Sequence, residues 1–476
     1  MQKHIFRYFQ FLIYCSISVS LSAAEVGRRP NIIFVIADQW RASAFGYTGN
    51  PNVKTPNIDA FAKQSVSFKN AVSNLPVCTP MRATLMTGQR PLTHGLFLND
   101  APLNPEAVTM AKVFAKNGFD TAMIGKWHID GHGRSTFIPK ERRQGFDYWK
   151  VLECTHAYNQ SAFYGDGPEK QRWEGYDSIA QTNDACKYIE SHAKGEKPFL
   201  MVMAWGPPHD PYMTAPAKYR EMYKAENMKI SPNVPGSLHD KIRSDLTGYY
   251  AHCTALDDCF GQVVKTCREA GILDNTIIIF TADHGDMMGS HGARYKQQPY
   301  EESACVPMLF HCPKKFGDGR ITPAIINTED LMPTVLSLSE IPIPESVEGR
   351  SVADVLQPGA VVKEDQLRSA ALITCVVPFG QFTRLIGGKE YRAVRTAQYT
   401  YAADLKGAWL LFDNQADPYQ QNNLIEKPGN EALLKEMQAL LKAKLQATGD
   451  EFKPASYYVE KWKYVVDKNE TIRYTN

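Results

Sequence analysis

The sequence has little excess charge of either sign, few cysteines for its length and no long apolar run beyond its N-terminus. Lysine plus arginine number 53 and aspartate plus glutamate 51, so the formal net charge is only +2, whereas proteins that bind nucleic acids through phosphate contacts have a marked basic excess. Ten cysteines in 476 residues do not make a disulfide scaffold, and no Cys-x-x-Cys pair suggests a zinc site. No later segment approaches the roughly twenty apolar residues of a stable membrane span. These absences argue against all four classes.

The first 24 residues have the pattern of a signal peptide. Lys3 and Arg7 precede a short apolar run that ends in small residues, and Ser22 and Ala24 stand where an A-x-A-like cleavage signal places them. The run is too short and too rich in serine for a stable membrane anchor. We therefore predict a signal peptide over residues 1–24 and an exported protein, either periplasmic or secreted.

Three apolar, β-rich runs alternate with helical patterns along the remaining chain. The overall composition, 43% hydrophobic and 22% charged, is that of a globular protein. The runs cover residues 31–37, 199–204 and 276–282. One helical pattern, over residues 184–192, precedes the second run, and another, over residues 255–270, precedes the third. This alternation predicts an α/β fold with a doubly wound, mostly parallel sheet flanked by helices.

The pattern changes near residue 361. Residues 391–401 have the composition of antiparallel strands, and residues 431–446 place apolar side chains at helical spacing. We therefore predict a catalytic α/β domain over residues 25–360 and a smaller C-terminal α+β subdomain with an antiparallel sheet over residues 361–476.

Polar residues follow the apolar runs. Asp38 and Gln39 follow the first run, and Asp283 and His284 follow the third. In doubly wound sheets, ligands bind beyond the carboxyl ends of the strands. Oxygen ligands of this kind suit Ca²⁺ or Mg²⁺, and Ca²⁺ better tolerates irregular coordination. Each residue alone could also be a polar cap of its strand, but four at two strand ends predict a metal site.

Cys78 directly precedes a predicted helix. Thr79 is a good N-cap and Pro80 suits the first helical position, so Cys78 is expected just outside the helix N-terminus. The helix dipole and the nearby Arg82 would lower the pKa of the thiol, which predicts a reactive cysteine. A buried structural cysteine that happens to precede a helix is the alternative, and the pattern alone does not decide between them.

The segment Cys78-Thr79-Pro80-Met81-Arg82, followed by Thr87-Gly88-Gln89-Arg90, resembles the signature of type I sulfatases, members of the alkaline phosphatase superfamily. The resemblance extends from residue 31 to residue 424, in matching order. It implies an alkaline phosphatase-like fold, and it implies that Cys78 is oxidised after translation to formylglycine (3-oxoalanine) by a formylglycine-generating enzyme.

The same resemblance implies roles for the site residues. It implies Ca²⁺ as the cofactor, with Mg²⁺ as the less favoured alternative. This ion would be held by Asp38, Gln39, residue 78, Asp283 and His284. It implies that the sulfate is gripped by Lys126, His209 and Lys296. Arg82 and His128 would hold and deprotonate the formylglycine hydrate, while His209 or Lys296 gives a proton to the leaving alcohol.

The predicted substrate is a sulfated carbohydrate. The loop-rich segment 130–177 is rich in aromatic, arginine and histidine residues, which suit a sugar with further anionic groups. From this segment we predict substrate contacts at Arg134 and His156, and a third at Arg294, two residues before Lys296. Loop packing is the alternative for each of them. The resemblance to exported bacterial carbohydrate sulfatases implies a polysaccharide or glycosaminoglycan fragment as substrate.

Two other functions are compatible with the same residues. Many relatives have a second aspartate where this chain has Gln39, and glutamine is also found there in phosphonate monoester and phosphodiester hydrolases of the superfamily. A hydrolase of that kind is therefore one alternative. A non-catalytic glycan-binding relative that retains the fold is the other.

Overall fold

The computed structural model describes residues 29–360 and 368–475. The predicted signal peptide, residues 1–24, lies outside the described residues, as does the predicted domain boundary at residue 361, and both stay predictions. No helix in the described ranges is long and apolar enough to span a membrane.

The strands form one large sheet, one smaller sheet and a short two-stranded ribbon. In chain order the strands of the large sheet are β1 (Asn31–Asp38), β2 (Val66–Val72), β3 (Asp120–Lys126), β4 (Tyr148–Leu152), β7 (Phe199–Pro208), β8 (Thr276–Ala282), β9 (Met308–His311) and β10 (Arg320–Asn327). These eight strands lie in the order β10-β2-β9-β8-β1-β7-β3-β4. The ribbon pairs β5 (Ala162–Phe163) with β6 (Gln171–Arg172).

The three apolar runs are the centre of the large sheet, as predicted. Strand β1 is buried along its whole length and pairs in parallel with β8 on one side and β7 on the other. Strands buried on both faces have continuous apolar sequences, which explains these runs. The expected mostly parallel sheet is confirmed, although β9 runs antiparallel to both of its neighbours, β2 and β8.

Helices cover the large sheet. The predicted helical segment 184–192 lies within the helix Asp177–Ala193, and the segment 255–270 extends one residue past the end of the 31-residue helix His239–Glu269. The other α-helices of the described residues are four to ten residues long, apart from the 18-residue Glu431–Thr448. They are Pro56–Ala62, Cys78–Thr87, Pro91–His94, Met110–Lys116, Ala217–Arg220, Glu301–Ala304, Pro313–Phe316, Leu331–Leu338, Ala353–Leu356 and Ala455–Lys461. This arrangement is the mostly parallel α/β sheet with flanking helices that the sequence predicts.

The C-terminal part contains the predicted antiparallel sheet. Its four strands, in the order β11-β12-β13-β14, are Ala371–Cys375, Tyr391–Arg395, Tyr399–Asp404 and Gly407–Asp413. The helix Glu431–Thr448 buries Met437 and Leu441 in a cluster with residues of this sheet. The apolar spacing read from residues 431–446 is therefore the spacing of a helix that packs on the sheet.

Cysteine pairing does not stabilise this fold. None of the nine cysteines within residues 29–360 and 368–475 forms a disulfide, and all nine are buried. Small buried thiols behave as apolar side chains, so most of these cysteines pack in the core.

Candidate active site

The carboxyl ends of β1 and β8 bring two aspartates together. Asp38 ends β1 and Asp283 follows β8, its parallel neighbour, so both side chains lie at one edge of the sheet. The turn after β1 closes this edge, because the backbone N–H of Gln39 donates to Asp283 Oδ1 at 3.0 Å. Asp38, Asp283 and the adjacent His284 are fully buried.

Four potential ligand atoms converge at this edge. Asp38, Cys78, Asp283 and His284 each offer one atom, and these atoms all lie within 4.8 Å of one another. Two carboxylates, an imidazole and the atom at position 78 form a donor set that fits a divalent cation. The side chain of Gln39 faces the same group, since its Oε1 accepts from Lys296 Nζ at 3.0 Å.

Cys78 begins the helix Cys78–Thr87 and is almost completely buried. The prediction that Thr79 caps this helix and that Cys78 lies just outside it is wrong, because the N-cap is Val77. Thr79 has distant partners instead: its hydroxyl donates to the carbonyl of His128 at 2.6 Å and accepts from the N–H of Asp100. Long-range hydrogen bonds have replaced the local cap, while Cys78 still lies in the first turn, where the helix dipole favours negative charge.

Cations surround the sulfur of Cys78. The Sγ lies 3.3 Å from His284 Nε2, 3.5 Å from Lys296 Nζ and 3.6 Å from Lys126 Nζ. Burial and the neighbouring Asp38 raise the pKa of the Cys78 thiol, but these three cations together bring it well below its usual value. The site therefore stabilises negative charge at position 78.

Arg82 and Lys126 bind the aspartates of the cluster. The Arg82 guanidinium donates to Asp283 Oδ2 at 3.0 Å and to Asp38 Oδ2 at 3.3 Å, and Lys126 Nζ donates to the same Asp38 oxygen. Burial opposes ionisation of Asp38, yet the charges of Lys126 and Arg82 hold its pKa well below the usual range. Arg82 also donates to the carbonyl of Lys126 at 2.9 Å, which fixes the end of β3.

His209 is held as a neutral base. Its Nε2 lies 2.8 Å from Lys296 Nζ, and the ring of His156 stacks on it at 4.6 Å between centroids. Burial and the ammonium of Lys296 lower the pKa of His209 well below its usual value. The predicted substrate residue His156 thus contacts a predicted catalytic residue.

His128 reaches the site by a different backbone geometry from the one expected. An extended chain would place Lys126 and His128 on one side, but His128 has a left-handed backbone with φ 62°, because the chain turns here rather than continuing β3. Its Nε2 lies 3.3 Å from Asp100 Oδ1, and its buried Nδ1 has no hydrogen-bond partner among the described residues. Burial lowers the pKa of His128, but the neighbouring Cys154 and Asp100 raise it well above its usual value.

The other two predicted substrate residues have protein partners. Arg134 donates to both oxygens of Asp100, at 2.8 Å each, and stacks on the ring of Tyr474 at 3.4 Å. Arg294 binds Asp245 at 3.1 Å, on the outside of the helix His239–Glu269. No described contact joins Arg294 to the cluster around Cys78. The role of each in substrate binding stays a prediction.

Three acidic or thiol groups of the site were not predicted. Asp286 accepts from Gln39 Nε2 at 2.7 Å and from the Tyr212 hydroxyl at 2.6 Å, which orients the amide of Gln39. It stands three residues after Asp283, and this proximity could have indicated it. Asp100 and Cys154 are distant in sequence from Asp283, and no neighbouring predicted site residue could have indicated them.

Comparisons with known proteins agree with this geometry. The sulfatase family model matches residues 30–341, and the model described as N-sulphoglucosamine sulphohydrolase, C-terminal, matches residues 289–447. An ulvan-active sulfatase of Formosa agariphila is 46% identical over 93% of this chain and 86% of its own length. An endo-4-O-sulfatase of Bacteroides thetaiotaomicron is 30% identical over 88% of this chain and 93% of its own length.

Solved structures show the same fold. A putative sulfatase from Bacteroides fragilis superposes with a TM-score of 0.80 at 28% identity, covering 91% of this chain and 98% of its own. A phosphonate monoester hydrolase of Agrobacterium radiobacter, 22% identical with a TM-score of 0.69, shares the fold alone. The family model covers more than half of the residues and includes Cys78 and both aspartates of the cluster. The predicted resemblance is thus confirmed: the chain belongs to the sulfatase family, within the alkaline phosphatase superfamily.

Proposed function

We propose that this sulfuric ester hydrolase removes sulfate from a carbohydrate through a formylglycine derived from Cys78, with Ca²⁺ as its metal. One observation carries the proposal. The buried Cys78 Sγ lies within 3.6 Å of Asp38, His284, Lys126 and Lys296. A sulfate ester placed there would meet a cation site on one side and two ammonium groups on the other, which stabilises the charge that develops during cleavage.

The metal and the modified residue would supply the nucleophile. A divalent cation held by Asp38, Gln39, Asp283 and His284 would lower the pKa of a bound hydroxyl and polarise a sulfate oxygen. As a hydrated formylglycine, residue 78 would offer two hydroxyls, one to attack sulfur and one to expel sulfate afterwards. The orientation of Gln39 supports its part, because Asp286 holds the amide nitrogen and leaves the oxygen facing the site.

The chain's own residues would bind the sulfate and move the protons. Lys126, His209 and Lys296 would hold the sulfate oxygens, and Arg82 would keep the carboxylates of Asp38 and Asp283 in place. The leaving alcohol needs a proton from His209 Nε2 or Lys296 Nζ, which lie 2.8 Å apart and can share one. In its neutral form His128 would take a proton at Nδ1, and the raised pKa of the ring favours the protonated product, while Asp100 binds its Nε2.

The substrate proposal depends on the relatives. The relative named an ulvan-active sulfatase is 46% identical along nearly the whole chain, and another is named an endo-4-O-sulfatase. We therefore infer a sulfated polysaccharide fragment, of algal or glycosaminoglycan type, as the substrate. A screen of defined sulfated mono- and disaccharides, read out by released sulfate, would identify the sugar and the position.

Replacement of Cys78 tests the proposed nucleophile. We expect Cys78→Ala to abolish sulfate release while circular dichroism and the unfolding temperature remain close to those of the parent. Mass spectrometry of the peptide containing residue 78 should show formylglycine in the active parent. Retained activity of the variant, or an unmodified cysteine in a fully active sample, would remove the proposed nucleophile.

Gln39 favours one alternative strongly enough to test. A neutral amide in place of a second carboxylate leaves the metal with one negative charge fewer, as in phosphonate hydrolases of the superfamily. Parallel kinetics with an aryl sulfate and an aryl phosphonate separate the two activities. Faster turnover of the phosphonate would replace the sulfatase proposal. The other alternative, a non-catalytic glycan-binding relative, requires an unmodified Cys78 and no sulfate release in the same samples.

Export and maturation complete the proposal. The N-terminal pattern, with its basic residues, short apolar run and small residues before residue 25, supports removal of a signal peptide. We infer a periplasmic or secreted enzyme that is matured by a formylglycine-generating enzyme. N-terminal sequencing of the exported protein should begin near Glu25.

A further inference from the structure

A groove of about 890 Å³ opens beside the active site and is lined by none of the residues predicted for catalysis or metal binding. Its walls come from the turn after β1 (residues 41–52), a loop at residues 229–232 and turns of the C-terminal sheet at residues 395–397 and 414–419. The groove therefore lies between the large sheet's carboxyl edge and the C-terminal part.

Arg41 is the buried cation of this groove. Its side chain is 7% exposed and lines the groove, and its buried Nε has no hydrogen-bond partner in the part of the chain that the structure describes. Its described hydrogen bonds are both made by the backbone: the N–H donates to the hydroxyl of Tyr249 at 3.0 Å, and the carbonyl accepts from the N–H of Ala44 at 3.1 Å. Burial lowers the pKa of Arg41, but the neighbouring Tyr250 and Glu302 raise it overall, so the side chain is charged. The buried N–H of its Nε still lacks an acceptor, which is costly unless something else supplies one. Arg41 therefore points to an anion that enters from the groove.

The charges around Arg41 leave the groove positive. Arg395 is neutralised by Glu301, with contacts of 2.9 and 3.0 Å. Lys69 and Lys229 are exposed, line the groove and have no ion pair among the described residues. Among the described lining residues Glu302 is the only other acid, and it offsets part of the charge of Arg41. An anionic ligand would therefore be attracted here.

The remaining lining suits a sugar. It is rich in amides and hydroxyls, which pair with sugar hydroxyls, and Tyr419 exposes 43% of its surface as a flat platform. The amides are Asn50, Asn52, Asn70, Asn414 and Gln415. A free inorganic anion would use Arg41 and leave this polar surface without a role.

The groove is close enough to the metal site for one polymer to reach both. Arg41 stands two residues after Gln39, so their Cα atoms are separated by at most about 7 Å. The hydroxyl of Tyr249 binds both of them, donating to the carbonyl of Gln39 at 2.9 Å and accepting from Arg41.

We propose that this groove, the Arg41 groove, is a binding subsite for an anionic sugar unit of the polymer whose sulfate ester is in the active site. The inference deepens the proposed function and rests on it for the kind of polymer. Arg41 would bind the sulfate or carboxylate of that unit, and Lys69 and Lys229 would attract it.

Binding measurements without turnover test the subsite. In the Cys78→Ala background, calorimetry would measure the affinity for tetrasaccharides and disaccharides of ulvan and of chondroitin sulfate. We expect Arg41→Gln to weaken binding of a tetrasaccharide about tenfold, since it removes a charged hydrogen bond. Binding of the matching disaccharide should not change. Tetrasaccharides that are chemically desulfated but retain their carboxylates show whether Arg41 binds a sulfate or a carboxylate.

Two further variants complete the test. Lys69→Gln with Lys229→Gln alters only exposed side chains and should cause a smaller loss that diminishes at high salt. Lys63→Gln removes the same charge from an exposed position outside the groove and should have no effect. The inference is overturned if neither tetrasaccharide binds. It is also overturned if Arg41→Gln and the double variant leave the affinity for a tetrasaccharide unchanged. Failure of the proposed function itself would appear separately, as absence of sulfate release from an aryl sulfate by the mature enzyme carrying Cys78.

Discussion

At the scale of single residues, the most informative contact is that between Asp100 and His128. Asp100 receives His128 Nε2 on one side and both nitrogens of the Arg134 fork on the other. An imidazole bound at one nitrogen by a carboxylate is held in the orientation in which its other nitrogen accepts a proton. Asp100 is therefore a positioning residue, and Arg134 acts on His128 through it.

We expect Asp100→Asn to lower kcat about tenfold, because general acid–base groups contribute roughly 10² to 10⁴ in rate and His128 would be retained but poorly oriented. KM should change little, since Asp100 lies behind His128. Steady-state kinetics measure both constants. Asp130→Asn is the matched control, because Asp130 binds the fork of Arg142 in the same way but does not contact His128. An equal effect of the two substitutions would contradict the assigned role.

The amide of Gln39 gives a second residue-scale prediction. In Gln39→Glu, a carboxylate replaces the amide nitrogen that donates to Asp286, so two buried carboxylates face each other. We expect a loss of about 2–4 kcal/mol in the free energy of unfolding, because a buried hydrogen bond becomes a repulsion. Denaturant unfolding measures the loss. The double variant Gln39→Glu with Asp286→Asn restores a donor between the two positions and should recover much of it; no recovery would show that this contact does not orient Gln39.

At the scale of elements, strand β12 is joined to the segment after the helix Glu431–Thr448 by a buried ion pair. Arg392 is fully buried and binds Asp450 through two nitrogens, one at 3.2 Å, and the carbonyl of Cys375 at 3.1 Å. Removing one partner of a buried pair leaves the other charge uncompensated.

Asp450→Asn should therefore destabilise the protein by about 3–5 kcal/mol. Asp404→Asn, which removes a partly exposed pair with Lys389, should cost less than about 1 kcal/mol. Urea unfolding followed by circular dichroism compares the two. Similar losses from both substitutions would mean that burial of Arg392 does not set the strength of this connection.

The elements also show which parts of the fold are predictable from the sequence. The runs that became β1, β7 and β8 were recognisable because a strand buried on both faces leaves a continuous apolar pattern. The cap of the helix Cys78–Thr87 was not, because Thr79 binds His128 and Asp100 from distant parts of the chain. Local pattern rules describe neighbours in sequence and do not include such partners.

The same distinction applies to the site. Asp38, Asp283 and His284 were predicted to lie together because they follow strands that were expected to be neighbours, and the parallel pairing of β1 with β8 does bring them together. Asp100 and Cys154 lie in loops, where side-chain positions depend on the whole fold. Arg134 was predicted from composition, and composition did not reveal that Asp100 would bind it.

At the scale of the whole molecule, the cluster at the sheet edge should couple metal binding to stability. Burial and the proximity of Asp38 raise the pKa of Asp283, so without a cation the ionised carboxylate of Asp283 opposes folding. A cation that binds only the folded chain stabilises it in proportion to its concentration.

We expect added Ca²⁺ to raise the unfolding temperature, with about 2.7 kcal/mol of stabilisation at a hundred times its dissociation constant, and chelation to reverse the effect. Differential scanning calorimetry measures the shift. Asp283→Asn should remove most of the response, whereas Asp166→Asn, at a carboxylate that is 93% exposed, should retain it. An unfolding temperature that is independent of Ca²⁺ in the parent protein would contradict a calcium site at this position.

The burial of Cys78 also imposes an order of events. Its side chain is only 1% exposed, and every residue of the helix that it begins is buried. A maturation enzyme must surround its target, and the finished fold offers it no access to this position. The proposed oxidation of Cys78 therefore has to occur on the nascent or unfolded chain, in competition with folding. A molecule that folds first would keep its thiol permanently, so the active fraction of a preparation would record which of the two processes was faster.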